Sequence, residues 1–141
     1  MLKTTRLSKS EVYDLLIKCE KSFNPPLSVT MSSLERYSDK LSEFADFVLF
    51  VEAENTVGFA AFYTNEEGGF AYIPLIWVDE KHQHQGIGKR MIEKLAEKST
   101  NIKKIRLEER KTNIKAIGFY RNMGFEVIED RGEKYLVEKS L

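Results

Sequence analysis

The sequence predicts one mixed α/β domain in which a meander of strands precedes crossover helices. Three observations carry this. The 141 residues fit one domain, 1–141, and can bury a core. The β-rich runs "DFVLFVEA", "TVGFAAFY" and "FAYIPLIWV" follow one another with only short turn signals between them. Beyond them, apolar residues at helical spacing alternate with strand-like segments.

Taken in order, Ser8-Lys-Ser-Glu11 is a capping-box pattern, and Val12, Leu15, Leu16 and Cys19 follow at helical spacing. That spacing makes Cys19 a core-facing thiol, and a single cysteine cannot form an intramolecular disulfide. Asn24-Pro25-Pro26 breaks the chain. A second capping box, Ser32 to Glu35, opens a helix carrying Leu34, Tyr37 and Leu41. Glu54-Asn55 is the turn between the first two strands, and "NEEGG" leads into the third. Pro74 inside that third strand cannot donate to a ladder, which implies an edge, a bulge or a splay. Ile87, Met91, Ile92 and Leu95 then mark a helix packed on a sheet. "KKIRLEE" reads as a strand, "NIKAIGFYRNM" as a helix ended by Gly124, and "FEVIED" with "KYLVEK" as a hairpin through Arg131-Gly132.

Composition narrows the function. At 42% hydrophobic and 31% charged, the chain is ordinary for a globular domain, and no apolar run approaches the ~20 residues of a membrane span. The N-terminus lacks the apolar stretch of an export signal, so a cytoplasmic location is expected. Net charge is zero, which disfavours a general nucleic-acid binder. The charge is uneven, however: Asp79 to Asn122 holds 12 Lys/Arg against 6 Asp/Glu, and the remainder 10 against 16. The basic third suits a small polyanion, although solvated helix faces would give the same count.

Glycines between a strand and a helix let backbone N–H groups approach a phosphate, and the helix dipole favours its charge. Gly86-Ile87-Gly88 occupies such a place. It is not a P-loop, because Gly88-Lys89-Arg90 lacks the hydroxyl and the upstream glycine, and the third glycine of a dinucleotide fingerprint is missing. Gln83-His84-Gln85-Gly86-Ile87-Gly88 does match Q/R-x-x-G-x-G/A. With "IWVDEKHQHQGIGKRMIEKL" around it and "NIKAIGFYRNMGF" downstream, the chain from Val48 to about Leu136 resembles the GNAT superfamily of acyl-CoA N-acyltransferases. Glu80 and His84 depart from residues common in that loop, but a backbone cradle depends little on them. The family's N-terminal strand would be only "LKTTRL".

The resemblance implies a central, mostly antiparallel, splayed sheet flanked by helices, and transfer of an acyl group, expected from acetyl-CoA, to an amine. By that resemblance, the backbone of His84, Gln85, Gly86, Ile87, Gly88 and Lys89, with Gln83 at the motif's start, holds the pyrophosphate. Ile76, Trp77 and Val78 match the strand whose backbone bonds the pantetheine arm, and Asn113 matches a residue that also bonds it. Tyr120 matches the family's acid for the departing thiolate; a phenol near pKa ~10 stays protonated at neutral pH. Glu108 matches a base used by some protein N-terminal acetyltransferases; it could equally be a surface carboxylate beside Arg106 and Arg110, and a water chain could replace it.

No metal is expected, since His82 and His84 are the only histidines and no third ligand accompanies them. The expected partner is a small-molecule or peptide amine, with no nucleic acid and no membrane; a homodimer is compatible. The acceptor side is expected along Phe23 to Tyr37 and Asp130 to Tyr135, with Glu20, Glu35, Asp39 and Glu133 drawing in a cationic or neutral amine. The competing readings are a CoA-binding module without turnover, which would keep Gly86 and Gly88 but not need Tyr120, and more weakly a nucleotide-binding domain.

Overall fold

The computed structural model describes residues 1–98 and 100–141. Strands β1 (Leu2–Thr5), β2 (Asp46–Glu52), β3 (Asn55–Asn65), β4 (Phe70–Val78), β5 (Lys104–Arg110), β6 (Glu126–Asp130) and β7 (Lys134–Ser140) form one sheet in the order β1-β2-β3-β4-β5-β7-β6. All neighbours run antiparallel except β4 and β5. Helices α1 (Lys9–Cys19), α2 (Leu27–Thr30) and α3 (Leu34–Phe44) precede the meander, α4 (Ile87–Ala96) joins β4 to β5, and α5 (Ile114–Asn122) joins β5 to β6. The mixed, mostly antiparallel fold class is therefore the observed one.

Each face of the sheet carries its own core. Val12, Leu16 and Leu41 pack on Phe47, Phe59 and Trp77 of one face, and Cys19 is buried among them. Ile87, Met91, Ile92 and Leu95 pack with Val48, Phe62 and Ile105 on the other, as the helical spacing requires. The Ser8 box forms: Ser8 Oγ accepts from Glu11 N–H at 3.2 Å, and Ser8 N–H donates to Glu11 Oε1 at 2.9 Å. The second cap sits one residue later than the sequence predicts. Ser33, not Ser32, accepts from the N–H three residues on, that of Arg36. The first hairpin also turns one residue early: Ala53 and Glu54 hold positive φ, and Asn55 already pairs with Glu52. The four residues of α2 are too few to show a period in sequence.

Two irregularities open the sheet. Ala61 pairs with Leu75 but Tyr63 with Tyr72, so β4 carries one extra residue around Ile73-Pro74. That bulge turns the strand over: Ala71 and Ile73 enter the α4 core, whereas Leu75 and Trp77, of the same parity, enter the α1–α3 core. In addition, β5 pairs with β4 only from Phe70↔Lys104 to Tyr72↔Arg106. Beyond Tyr72 and Arg106 the two strands diverge, as Pro74 suggested.

Candidate active site

The divergence creates a cleft of 830 Å³ whose walls are Ile73 to Val78 of β4 and Leu107 to Arg110 of β5, with Asn113, Ala116 and Tyr120 of α5. Phe23, Asn24, Pro25, Leu27, Thr30 and Met31 border it on the α1–α3 side, and Lys134 joins from β7. A backbone edge left unpaired between parallel strands can bond an extended ligand laid along it.

At the C-terminal end of β4 a second recess of 320 Å³ adjoins the cleft. Of the residues predicted to hold the cofactor, Ile76, Trp77, Val78, Gln83, His84, Gly86, Ile87, Gly88 and Asn113 line it; Gln85 and Lys89 are exposed outside its lining. His84 (φ 65) and Gly86 (φ 76) are both left-handed, which curls the loop. Gly86 is the N-cap of α4 and has no side chain to accept from the first turn. Arg90 N–H is the first to return to the helix, reaching Gly86 O at 3.1 Å. The N–H groups of Ile87, Gly88 and Lys89 therefore have no helical acceptor. Such a cradle suits a phosphate or pyrophosphate. Gln83 is tied back to the strand, donating to Val78 O at 3.2 Å. The Trp77 side chain points the other way, and its indole N–H donates to Ser22 Oγ at 3.1 Å, which anchors the turn before Phe23.

Tyr120, 5% exposed, borders both recesses and stacks edge-on with Phe119 and Phe125. Burial raises its phenol well above the ordinary value, and the charge of Glu109 raises it further. It therefore carries its proton throughout the physiological range. Asn113 caps α5, its Oδ1 accepting from Ala116 N–H at 3.1 Å, and its Nδ2 donates to Glu109 Oε1 at 2.9 Å.

Glu108 also reaches the cleft, from the opposite face of β5. Its Oε1 accepts from the Tyr72 hydroxyl at 3.2 Å, and its Oε2 from Arg131 Nη1 at 3.4 Å, not from Arg106 or Arg110. Burial, then the Glu108 charge, pushes the Tyr72 phenol up to about 12. Glu109 is the carboxylate that sequence reasoning missed. It is half-buried, and burial lifts its carboxyl above the ordinary value against the bond from Asn113. The signal was the alternation along "RLEER", which puts Glu108 and Glu109 on different faces.

The acids expected to favour a cationic acceptor do not line the cleft. Asp39 pairs with Lys9 at 3.3 Å, Glu133 with Arg110 at 3.7 Å, and Glu20 and Glu35 lie outside the lining. The count of acidic residues in sequence did not report their location. The charged lining is Glu108, Glu109, Arg110 and Lys134. Among the described residues no group of three or more His, Cys, Asp or Glu side chains could hold a metal, and no helix is long and apolar enough to cross a membrane.

The model of the acetyltransferase (GNAT) family matches residues 10–125. No curated protein matches the chain. Among solved structures, it is similar to the PaiA N-acetyltransferase of Thermoplasma acidophilum in complex with coenzyme A. That likeness has 18% identity and a TM-score of 0.77, over 100% of this chain and 99% of that one. An acetyltransferase from Thermus thermophilus gives 17% identity and a TM-score of 0.80, over 100% and 97%. The ribosomal-protein-S18-alanine N-acetyltransferase of Escherichia coli gives 19% identity and 0.75, over 99% and 94%. At these identities the likeness to solved structures is one of fold.

Proposed function

The chain belongs to the acetyltransferase (GNAT) family of acyl-CoA-dependent enzymes, and from that premise we propose that it moves an acetyl group from acetyl-CoA to a primary amine by direct attack on the thioester. The observation that carries this reading is the parting of β4 from β5 beyond Tyr72, with the glycine cradle at its open end and Tyr120 facing into it.

Acetyl-CoA supplies the activated acyl group. The unbonded N–H groups of Ile87, Gly88 and Lys89 hold its pyrophosphate, supported by the loop of Gln83, His84, Gln85 and Gly86. The backbone of Ile76, Trp77 and Val78 bonds the pantetheine arm as an added strand would. Asn113 can bond that arm while keeping Ala116 and Glu109, because its amide still has a second Nδ2 hydrogen and a second Oδ1 lone pair. The amine nitrogen forms the new bond to the acyl carbon while the carbon–sulfur bond breaks. Tyr120 gives its proton to the departing sulfur. Burial raises the phenol, which alone makes it a weaker donor than the reference values of about 10 for a phenol and about 8.5 for a thiol imply. A thiolate leaving in the same enclosed cleft is raised by the same cause, which offsets that.

The ammonium sheds two protons, one before it attacks and one as the amide forms. Glu108 is the proposed acceptor of the first and passes it to solvent, and the second replaces the one Tyr120 gave. Each oxygen of Glu108 accepts one bond and keeps a lone pair, so an incoming ammonium can join them, the contact with Arg131 at 3.4 Å being the longer and the easier to loosen. A cytoplasmic setting suits such an enzyme, with its lone cysteine unpaired and buried. The test is release of CoA thiol from acetyl-CoA across a panel of amines, set beside CoA binding measured by calorimetry. Binding without thiol release on any amine would identify a CoA-binding module instead.

A further inference from the structure

Arg110 and Lys134 face each other directly across β5 and β7. Directly opposed residues share a face of the sheet, and like charges in that position are destabilising. The register therefore holds two cations together at one place, and both line the cleft. Their face is that of Glu108, two residues earlier on β5, which is the side bordered by Phe23 to Met31.

Nearby cations are better compensated. Arg131 is spanned by both oxygens of Glu129, at 3.0 and 3.3 Å, and also reaches Glu108. Lys111 pairs with Asp130 at 2.6 Å. Arg110, by contrast, has a side chain only 33% exposed, and among the described residues its one carboxylate within 4.0 Å is that of Glu133 at 3.7 Å, on a side chain 89% exposed. A pair so long and so wet contributes little. Among the described residues Lys134 has no carboxylate within 4.0 Å. Glu109 feels both charges from the other face of β5 but lies within 4.0 Å of neither.

We propose that Arg110 and Lys134 recognise a carboxylate on the acceptor, so that the substrate is an amine that also bears a carboxylate, as amino acids and short peptides do. The proposal rests on the acyl-transfer reading above. A carboxylate between the two side chains removes their mutual repulsion and supplies the partner that the fold withholds. It also leaves the amine end directed along the same face toward Glu108. An amine with no anionic group meets the positive field of the pair and offers it no partner.

The test uses the full chain with acetyl-CoA and matched probes: L-amino acids, ω-amino acids and dipeptides, each beside its carboxamide. The expected result is a KM for the best acid about 10-fold or more below that of its amide, as a charge-assisted contact supplies. In Arg110→Gln/Lys134→Gln the gap closes, while the CoA dissociation constant by calorimetry stays at the wild-type value. Thermal melting checks the fold; removing a like-charge pair keeps or raises Tm. Acids no better than their amides overturn the proposal. Weakened CoA binding in the double variant also overturns it, because the two cations then serve CoA's own phosphates. If CoA binds but no amine of any kind is turned over, the acyl-transfer reading fails and this inference with it.

Discussion

A Cβ placed on Gly88 would lie 2.9 Å from Cζ of Phe119, so the start of α4 is fitted to the ring that α5 presents. From sequence, the missing side chain of Gly88 makes room for pyrophosphate; in the fold it makes room for Phe119. Gly86 is the opposite case, with nothing within 4 Å of its Cβ position but a φ of +76°. Gly86→Ala is therefore expected to cost about 1–2 kcal/mol from backbone strain and to weaken CoA binding about 10-fold by reshaping the cradle. Gly88→Ala acts through the ring, and Phe119→Ala in the same chain should restore CoA affinity. Calorimetry on the single and double variants checks this; failure of the double variant to recover would show that Phe119 is not the obstacle.

Tyr120→Phe keeps the ring that packs against Phe119 and Phe125 and removes the proton. CoA affinity should hold while turnover falls about 10²-fold or more. Because the phenol is raised above its ordinary value, wild-type activity should show no alkaline loss from Tyr120 up to about pH 10. Rapid-quench measurement of the chemical step would falsify the general-acid role if the Tyr120→Phe variant reacted as fast as the wild-type chain.

Glu109 sets a stability dependence whose sign is opposite to that of a salt-bridged carboxylate. Its native pKa is raised above 4.5, chiefly by burial, so between 4.5 and the raised value the native state binds more protons than the unfolded one. Stability from this group is present below that window and is lost as pH rises through it. Glu109→Gln keeps an oxygen for Asn113 and removes the charge. It should raise Tm at pH 7 by a few degrees and flatten the decline above pH 4.5. A lower Tm at pH 7 would mean that Glu109 already neutralises Arg110 and Lys134, against the inference drawn from them.

Cys19 is fully buried, and burial pushes its thiol up to about 12. Thiolate, the reactive form, is then scarce at neutral pH. Ellman's reagent should find no thiol in the native chain and one after denaturation, so Cys19 adds nothing to a CoA-release assay. Rapid labelling without loss of helical signal would show that α1 opens locally.

Near-neighbour physics was legible from the chain alone. The Ser8 box, the burial of Ile87, Met91, Ile92 and Leu95, the helix stop at Gly124 and the Gly86-Ile87-Gly88 loop all rest on residues within a few positions of one another. Turn and cap positions slipped by one residue at Ser33 and Ala53-Glu54, where adjacent residues compete for the same local bond. Pro74 announced an irregularity, but its effect, sending Ile73 and Leu75 into opposite cores, needed β3 as a register.

What only the tertiary structure decided lies between residues far apart in the chain. Glu108 is held by Tyr72 and Arg131, 36 and 23 positions away, and Arg110 is set against Lys134 by the pairing of β5 with β7. The acids that composition suggested for the acceptor turned out to lie off the cleft. Composition and periodicity report which face of its own element a residue occupies. Which charges then meet across a cleft depends on strand order and on where two strands part, and those are set by long-range packing of the two cores.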